Sequence, residues 1–149
     1  RQEDLEPIRS LIHQIFDLYQ LRKTHVEYIS TLMDQLCPNI KAVAGILTGA
    51  KLIEHAGSLK RLSEMPASTI QILGAEAALF RHMKTGAKPP RHGVIVSHSL
   101  IAAAPDKMHG KIARALADKL SIASKVDYFK GQFLGDKLIK QLEEKFKQK

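Results

Sequence analysis

Phosphate is the chemistry that the side chains of this sequence are best equipped to meet. Between Gly74 and Lys125 the chain strings together Arg81, Lys84, Lys88, Arg91, His92, His98, Lys107, Lys111, Arg114, Lys119 and Lys125. Lysine offers phosphate a point charge, and arginine a two-pronged fork of donors. Lys107, Lys111, Arg114 and Lys125 follow at spacings of four, three and eleven, which places them on one face of a helix. The loop carrying Lys84, Lys88 and Arg91 could lie across a sugar–phosphate backbone while His92 or His98 stacks on an unpaired base, as is usual in RNA recognition. Residues 74–131 hold 10 basic and 4 acidic side chains and supply most of the formal net charge of +8. The expectation is a polyanion partner, with ordinary solvated lysine as the bland alternative.

Other chemistries fit less well. Gly45-Ile-Leu-Thr-Gly49-Ala-Lys51 superficially resembles a phosphate-binding loop. That motif needs four residues between its glycines, then Lys, then Ser or Thr. Here three residues intervene, Ala50 precedes Lys51 and Leu52 follows it, so a small-residue helix face is the better reading. The 7 histidines include no pair four apart, and His82, His92, His98 and His109 sit among lysines and arginines. Positive neighbours disfavour both a bound cation and a gained proton, so no metal site and no cofactor are expected. Ser97-His98-Ser99 could suggest a nucleophile and base, but neighbours on an extended chain point apart. Cys37 has no second cysteine to pair with and reads as a small buried apolar residue. No catalytic residue is assigned.

The elements that must position the basic residues are helical. Leu5, Ile12, Tyr19, Val26 and Met33 are seven apart, as are Ile8, Ile15, Arg22, Ile29 and Leu36, which together give the 3-4 alternation of a coiled-coil seam. Arg22 alone interrupts it. A helix over residues 5–36 would be about 48 Å long, with Leu11, Leu18 and Leu32 widening its stripe enough for more than one neighbour. These ten seam positions are the expected dimerisation surface.

Beyond Pro38 the sequence predicts a helix over residues 39–56, a short one capped by Ser58, another begun by Ser68 or Thr69 and bent at Gly74, and a further run over 75–84. Residues 85–93 form a loop around Pro89-Pro90. A long amphipathic helix over 106–129 buries Ile112, Leu116, Leu120, Ala123, Val126 and Phe129, and a last helix starts at Asp136. Tyr128 and Phe129 read as core, and aromatics are only 5% of the chain, against a sheet-based RNA reader. The fold class is all-α: a long coiled-coil helix, residues 1–37, followed by a multi-helix domain, residues 38–149. No apolar run approaches the roughly 18–20 residues of a membrane span. The sequence opens on Arg1 without Met or an apolar leader and reads as a processed chain or fragment.

Longer stretches carry a family resemblance. Met65-Pro-Ala-Ser-Thr-Ile-Gln-Ile-Leu-Gly-Ala-Glu-Ala-Ala-Leu-Phe-Arg81 and the run from Lys84-Thr-Gly to Gly93-Val-Ile resemble the signature of the Nop domain. Gly110-Lys-Ile-Ala-Arg-Ala-Leu-Ala-Asp-Lys-Leu-Ser-Ile-Ala-Ser-Lys-Val-Asp-Tyr-Phe129 is similar to its second block. Pro38-Asn-Ile, Gly49-Ala-Lys-Leu-Ile and Ala56-Gly-Ser-Leu resemble the entry to the domain, so the likeness runs through nearly the whole chain in order.

The resemblance implies a non-catalytic scaffold of a box C/D guide ribonucleoprotein or of the related spliceosomal particle. In that family the domain grips a composite surface of kink-turn RNA and its ribosomal-type protein. A two-helix coiled coil joins protomers, and a separate N-terminal domain holds fibrillarin, the methyltransferase of guide-directed 2'-O-ribose methylation. Residues 1–37 resemble the second coiled-coil helix, so the chain resembles a C-terminal fragment. Gly74, Ala75 and Glu76 match the start of the family's Gly-Ala-Glu-Lys motif, whose lysine is replaced by Ala77, and Ala78-Leu-Phe-Arg81 matches the next motif. The family's loop histidine aligns as readily with Ser97 as with His98. The implied location is cytoplasmic in an archaeon and nucleolar or nuclear in a eukaryote. A coiled-coil assembly module without an RNA role and a small RNA-processing enzyme are the competing readings, the latter needing an acid–base pair or metal that the sequence does not offer.

Overall fold

The structure, a computed structural model, describes residues 5–147. The ends of the two expected segments, 1–4 and 148–149, lie outside the described residues. Among the described residues there is no strand, and the helices run α1 (Glu6–Leu36), α2 (Pro38–Ala44), α3 (Ile46–Ala56), α4 (Leu59–Glu64), α5 (Ala67–Ile72), α6 (Glu76–Thr85), α7 (Ser99–Ala102), α8 (Asp106–Tyr128) and α9 (Gly135–Lys147), with a 3₁₀ turn at Val94–Ser97. No helix is long and apolar enough to cross a membrane among the described residues.

The core forms around α8. Its apolar stripe puts Ile112, Leu116, Leu120 and Ala123 inside, against α2, α4, α5, α7 and α9. Small residues at Ala113, Ala115, Ala117 and Ser124 are buried as well and let neighbours approach on more than one side. The stripe does not extend as the sequence predicts. Val126 is only half-buried, and Phe129, expected in the core, is 75% exposed.

The turn that ends α8 explains this. Asp127 is buried, and its carboxylate accepts the backbone N–H of Asn39 at 3.1 Å, that of Ile40 at 2.8 Å and the Asn39 side-chain amide at 2.7 Å. The two backbone groups are donors that the first turn of α2 leaves without intrahelical partners, since Cys37 contributes no side-chain cap. Asn39 Oδ1 in turn accepts the N–H of Leu134 at 2.6 Å. With Asp127 turned inward, the next two residues rotate outward by about 100° each.

The predicted single helix over 39–56 is two helices. Gly45 adopts φ of 80° between α2 and α3, a conformation that L side chains rarely take, and α3 leaves in a new direction. Gly49, four residues on, lies against Met33 and Ile40. A β-carbon there would come 2.6 Å from the Met33 methyl, so Gly49 serves close packing, whereas Gly45 has open space around it and serves the turn. Ser58 caps α4, accepting the N–H of Arg61 at 3.1 Å. The next helix begins one residue earlier than Ser68, at Ala67 after Pro66, with no side-chain cap.

The helix α1 ends at Leu36 as predicted but divides into two parts. Met33 is buried and Ile29 packs partly on the core, with Val26 half-buried beside them, so these three seam positions serve the domain of their own chain. From Leu5 to Arg22 the stripe is exposed, and α1 touches chiefly α2 and α3. The elbow at Cys37 is braced by Lys41, whose ammonium donates to Asp34 at 2.6 Å. The Cys37 thiol is buried, and its desolvation, with Asp127 and Asp34 nearby, pushes its pKa up to about 11. It stays a protonated, inert packing group at neutral pH.

Candidate nucleic-acid interface

The first turns of α8 and the loop before α7 together form a basic groove. Residues 86–93 contain no helix, and the loop is drawn back onto α5 by backbone bonds from Gly93 N–H to Gln71 O at 2.8 Å and Val94 N–H to Leu73 O at 2.8 Å. The Gln71 side chain adds a third tie, donating to Arg91 O at 2.7 Å. Arg91 is thereby held over α8, where Lys107, Lys111 and Arg114 stand exposed at one-turn intervals. These residues, with Lys145 and Phe146 from α9, line a groove of about 770 Å³.

The groove is not uniformly positive, because Asp106 and Asp118 also line it. Asp106 accepts the Arg91 guanidinium at 3.0 Å and lies 3.7 Å from His109 Nδ1. An ion pair this exposed contributes little stability, so Arg91 can be exchanged onto a phosphate at small cost. The His92 ring lies 5.9 Å from that of His109, and neither ring is among the residues that line the groove. The His109 Nε2–H donates to Ala104 O at 2.8 Å.

Sequence reasoning and the structure differ over several residues. Lys107, Lys111, Arg114 and Arg91 come together, but Lys125, expected on the same face, is eleven residues beyond Arg114, about 16 Å along the axis. Lys119 turns instead toward α9, where its ammonium donates to Gln141. The correction for His98 is larger. Its Nδ1 accepts the N–H of Leu100 at 3.2 Å, which leaves Nε2–H to donate to Val43 O at 2.9 Å. Half-buried, with both ring nitrogens on backbone groups, His98 joins the start of α7 to α2 rather than standing free to meet a base. Burial lowers its pKa and keeps it neutral.

Gly74, Ala75 and Glu76 form the entry to α6. Gly74 takes φ of 85° and a β-carbon would strike Val94 at 2.4 Å, so both backbone and space demand glycine. The Glu76 carboxylate accepts the Gly74 N–H at 2.7 Å, and that bond, followed by its own N–H and the His55 charge, holds its pKa below the usual range. Helix α6 buries none of its residues and presents Arg81 and Lys84 to solvent, with Lys88 exposed just beyond. The His82 Nδ1–H closes its end onto Ala87 O. None of these residues lines the groove. Sequence reasoning missed Gln71, Lys145 and Phe146. The Lys-rich end of α9 was the only signal for the last two, and nothing local announces which basic side chains of a helix a distant loop will face.

The Nop family model, described as "snoRNA binding domain, fibrillarin", matches residues 1–148. An uncharacterized NOP5 family protein of Methanocaldococcus jannaschii is 48% identical over 139 residues, 93% of this chain and 33% of that protein. Nucleolar protein 58 of Aspergillus terreus is 48% identical over 126 residues, 85% of this chain and 22% of its own length. The chain thus spans a third or less of these relatives. Among solved structures, a chain in the crystal structure of a fibrillarin/Nop5p complex matches with a TM-score of 0.68 at 35% identity, over 96% of this chain and 59% of that one.

Proposed function

The chain belongs to the Nop family, and from that premise we propose that it is a non-catalytic scaffold of a box C/D ribonucleoprotein. Its groove at α8 grips phosphates of a kink-turn RNA together with the ribosomal-type protein bound to that RNA. A separate methyltransferase, fibrillarin, performs guide-directed 2'-O-ribose methylation and attaches through parts of the protein outside this chain. The name of the matched crystal structure, which pairs a similar chain with fibrillarin, supports this partnership. The exposed half of α1 joins a second long helix, and through it a second copy of the scaffold. The particle resides in the nucleolus where the cell has one and in the cytoplasm of an archaeon.

The observation that carries the reading is the convergence of Arg91, Lys107, Lys111 and Arg114 on one groove. A stacking sheet is not needed for such recognition. Phosphate contacts position the partner, and shape supplied by a second protein provides selectivity. Alanine at Lys111 or Arg114, both exposed, is expected to weaken binding to the kink-turn complex while leaving the unfolding midpoint unchanged. Each lost phosphate contact lowers the slope of log affinity against log salt by about 0.7–0.9. Unchanged affinity and slope in both variants would reduce these residues to solubilising charge.

A further inference from the structure

We propose that the base of the arm holds a second nucleic-acid site, a crevice that takes one or two unpaired nucleotides of RNA, at the opposite end of α8 from the groove. The chain leaves α8 through Tyr128 and Phe129, 36% and 75% exposed, with their rings 5.1 Å apart and edge to face. Their placement is fixed by backbone. Lys130 takes φ of 54°, the one non-glycine residue in the left-handed region among the described residues, and Gly131 N–H bonds back to Val126 O at 2.8 Å. The Phe129 ring is thereby held in water, with the Tyr128 ring about a third exposed beside it, at the cost of a strained residue.

Beside them opens a crevice of about 790 Å³ between the ends of α1 and α8 and the start of α4, lined by Leu36, Ser58, Lys60, Tyr128 and Lys130. Lys125 is exposed one turn before Phe129 on the same side of α8. The only carboxylate among the lining residues is Asp127, and it is fully engaged by the N–H groups of Asn39 and Ile40 and by the Asn39 amide. Asp127 keeps its charge but is buried and turned to those donors, so the exposed charge at the mouth of the crevice is that of Lys60 and Lys130. Aromatic faces flanked by lysines are the means by which single strands are bound without sequence preference, bases stacking on the rings and phosphates meeting the cations. The volume falls within the roughly 300–1,000 Å³ typical of small-ligand sites, enough for an unpaired nucleotide and too small for a duplex. Complementary charge favours RNA over an apolar protein partner, for which the lysines at the rim would be unneeded. The proposal rests on the preceding reading only in taking RNA as the ligand, since the two sites share no residue.

The chain contains no tryptophan, so Phe129→Trp provides a single reporter. Titrating the full chain carrying Phe129→Trp with an eight-residue oligouridylate should quench its fluorescence to saturation. Adding Lys60→Ala, or Lys130→Gly, which removes the charge and suits the left-handed backbone, should raise the midpoint by about tenfold, within the range expected for loss of a stacking or phosphate contact. Adding Lys111→Ala should leave the midpoint within about twofold, whether or not that variant impairs binding to a kink-turn complex, so the two readings fail separately. Absence of quenching, or quenching indifferent to both Lys60→Ala and Lys130→Gly, overturns the proposal. So does a wild-type chain that associates without RNA and is made monomeric by Phe129→Ala, which would make the aromatic pair a protein contact.

Discussion

Helices α1 and α8 carry the same kind of stripe and have opposite fates. Both are long, 31 and 23 residues, and both repeat apolar side chains at helical spacing. Yet α8 buries ten residues, and α1 buries Met33 alone among those described. The difference lies in what surrounds them. Five other helices of the chain are folded onto α8, whereas α1 projects past α2 and α3 and leaves Ile8, Ile12, Ile15 and Tyr19 half or more exposed. Periodicity identifies an apolar face and is silent about which chain covers it. Contiguous apolar patches of this extent on a protein surface commonly mark interaction sites.

The largest expected contrast is in stability. Leu116 is fully buried, so Leu116→Ala should cost about 3 kcal/mol from lost transfer and the cavity left behind. Ile12 is 59% exposed, and Ile12→Ala should change the stability of the isolated chain by less than about 0.5 kcal/mol. Urea unfolding of the two variants measures both. Equal costs would mean that α1 folds back on its own domain and that the comparison is false.

An intermediate effect should appear in assembly. Ile15→Asp places a charge in the exposed seam, where burial against a partner helix is costly unless the charge is paired. Sedimentation over a concentration series should show the wild-type chain associating and the variant shifted to monomer, with the α8 groove still competent. If both sediment as monomers at all concentrations, the stripe does not bring copies together. Arg22, exposed within the same seam, is placed to set register in such a pairing.

The smallest effect concerns pH. The neutral form of His98 is the one that the fold binds, and burial lowers its pKa from the ordinary 6.5. The unfolded chain therefore takes up its proton first as pH falls. The contribution of His98 is complete above pH 6.5 and declines below it toward the folded value. Thermal unfolding followed from pH 7.5 to 5.5 should show a decline that His98→Asn reduces. A wild-type curve identical to that of the variant would show that the ring's bonds to Val43 and Leu100 do not depend on its charge.

The particular residues show which features were legible in the sequence. The length of α1, the Ser58 cap, the loop over 86–93 and the start of α8 all depend on neighbours in sequence, and they stand where periodicity and Pro, Gly and Ser punctuation put them. The break at Gly45 was hidden because a glycine among small residues reads equally as a packing face or a turn, and Gly49 is the former while Gly45 is the latter. His98, Lys119 and Phe129 were misplaced for a different reason. Their surroundings are set by groups 55, 22 and 89–90 positions away: the Val43 carbonyl, the Gln141 amide, and the capped turn at Asn39 and Ile40 that draws in Asp127. The basic face of α8 was visible as spacing, but its joining with Arg91 and Lys145 depends on how the loop and α9 return to it.

The central claim is that the groove recognises a surface made jointly by RNA and protein. Its most direct test is a titration of the full chain against one kink-turn RNA, alone and with its ribosomal-type protein already bound, at the same salt concentration. Phosphate contacts alone give weak, salt-sensitive binding. Affinity for the preformed complex should therefore exceed that for the naked RNA by at least about tenfold, which is about 1.4 kcal/mol. Equal affinity for the two would contradict composite recognition.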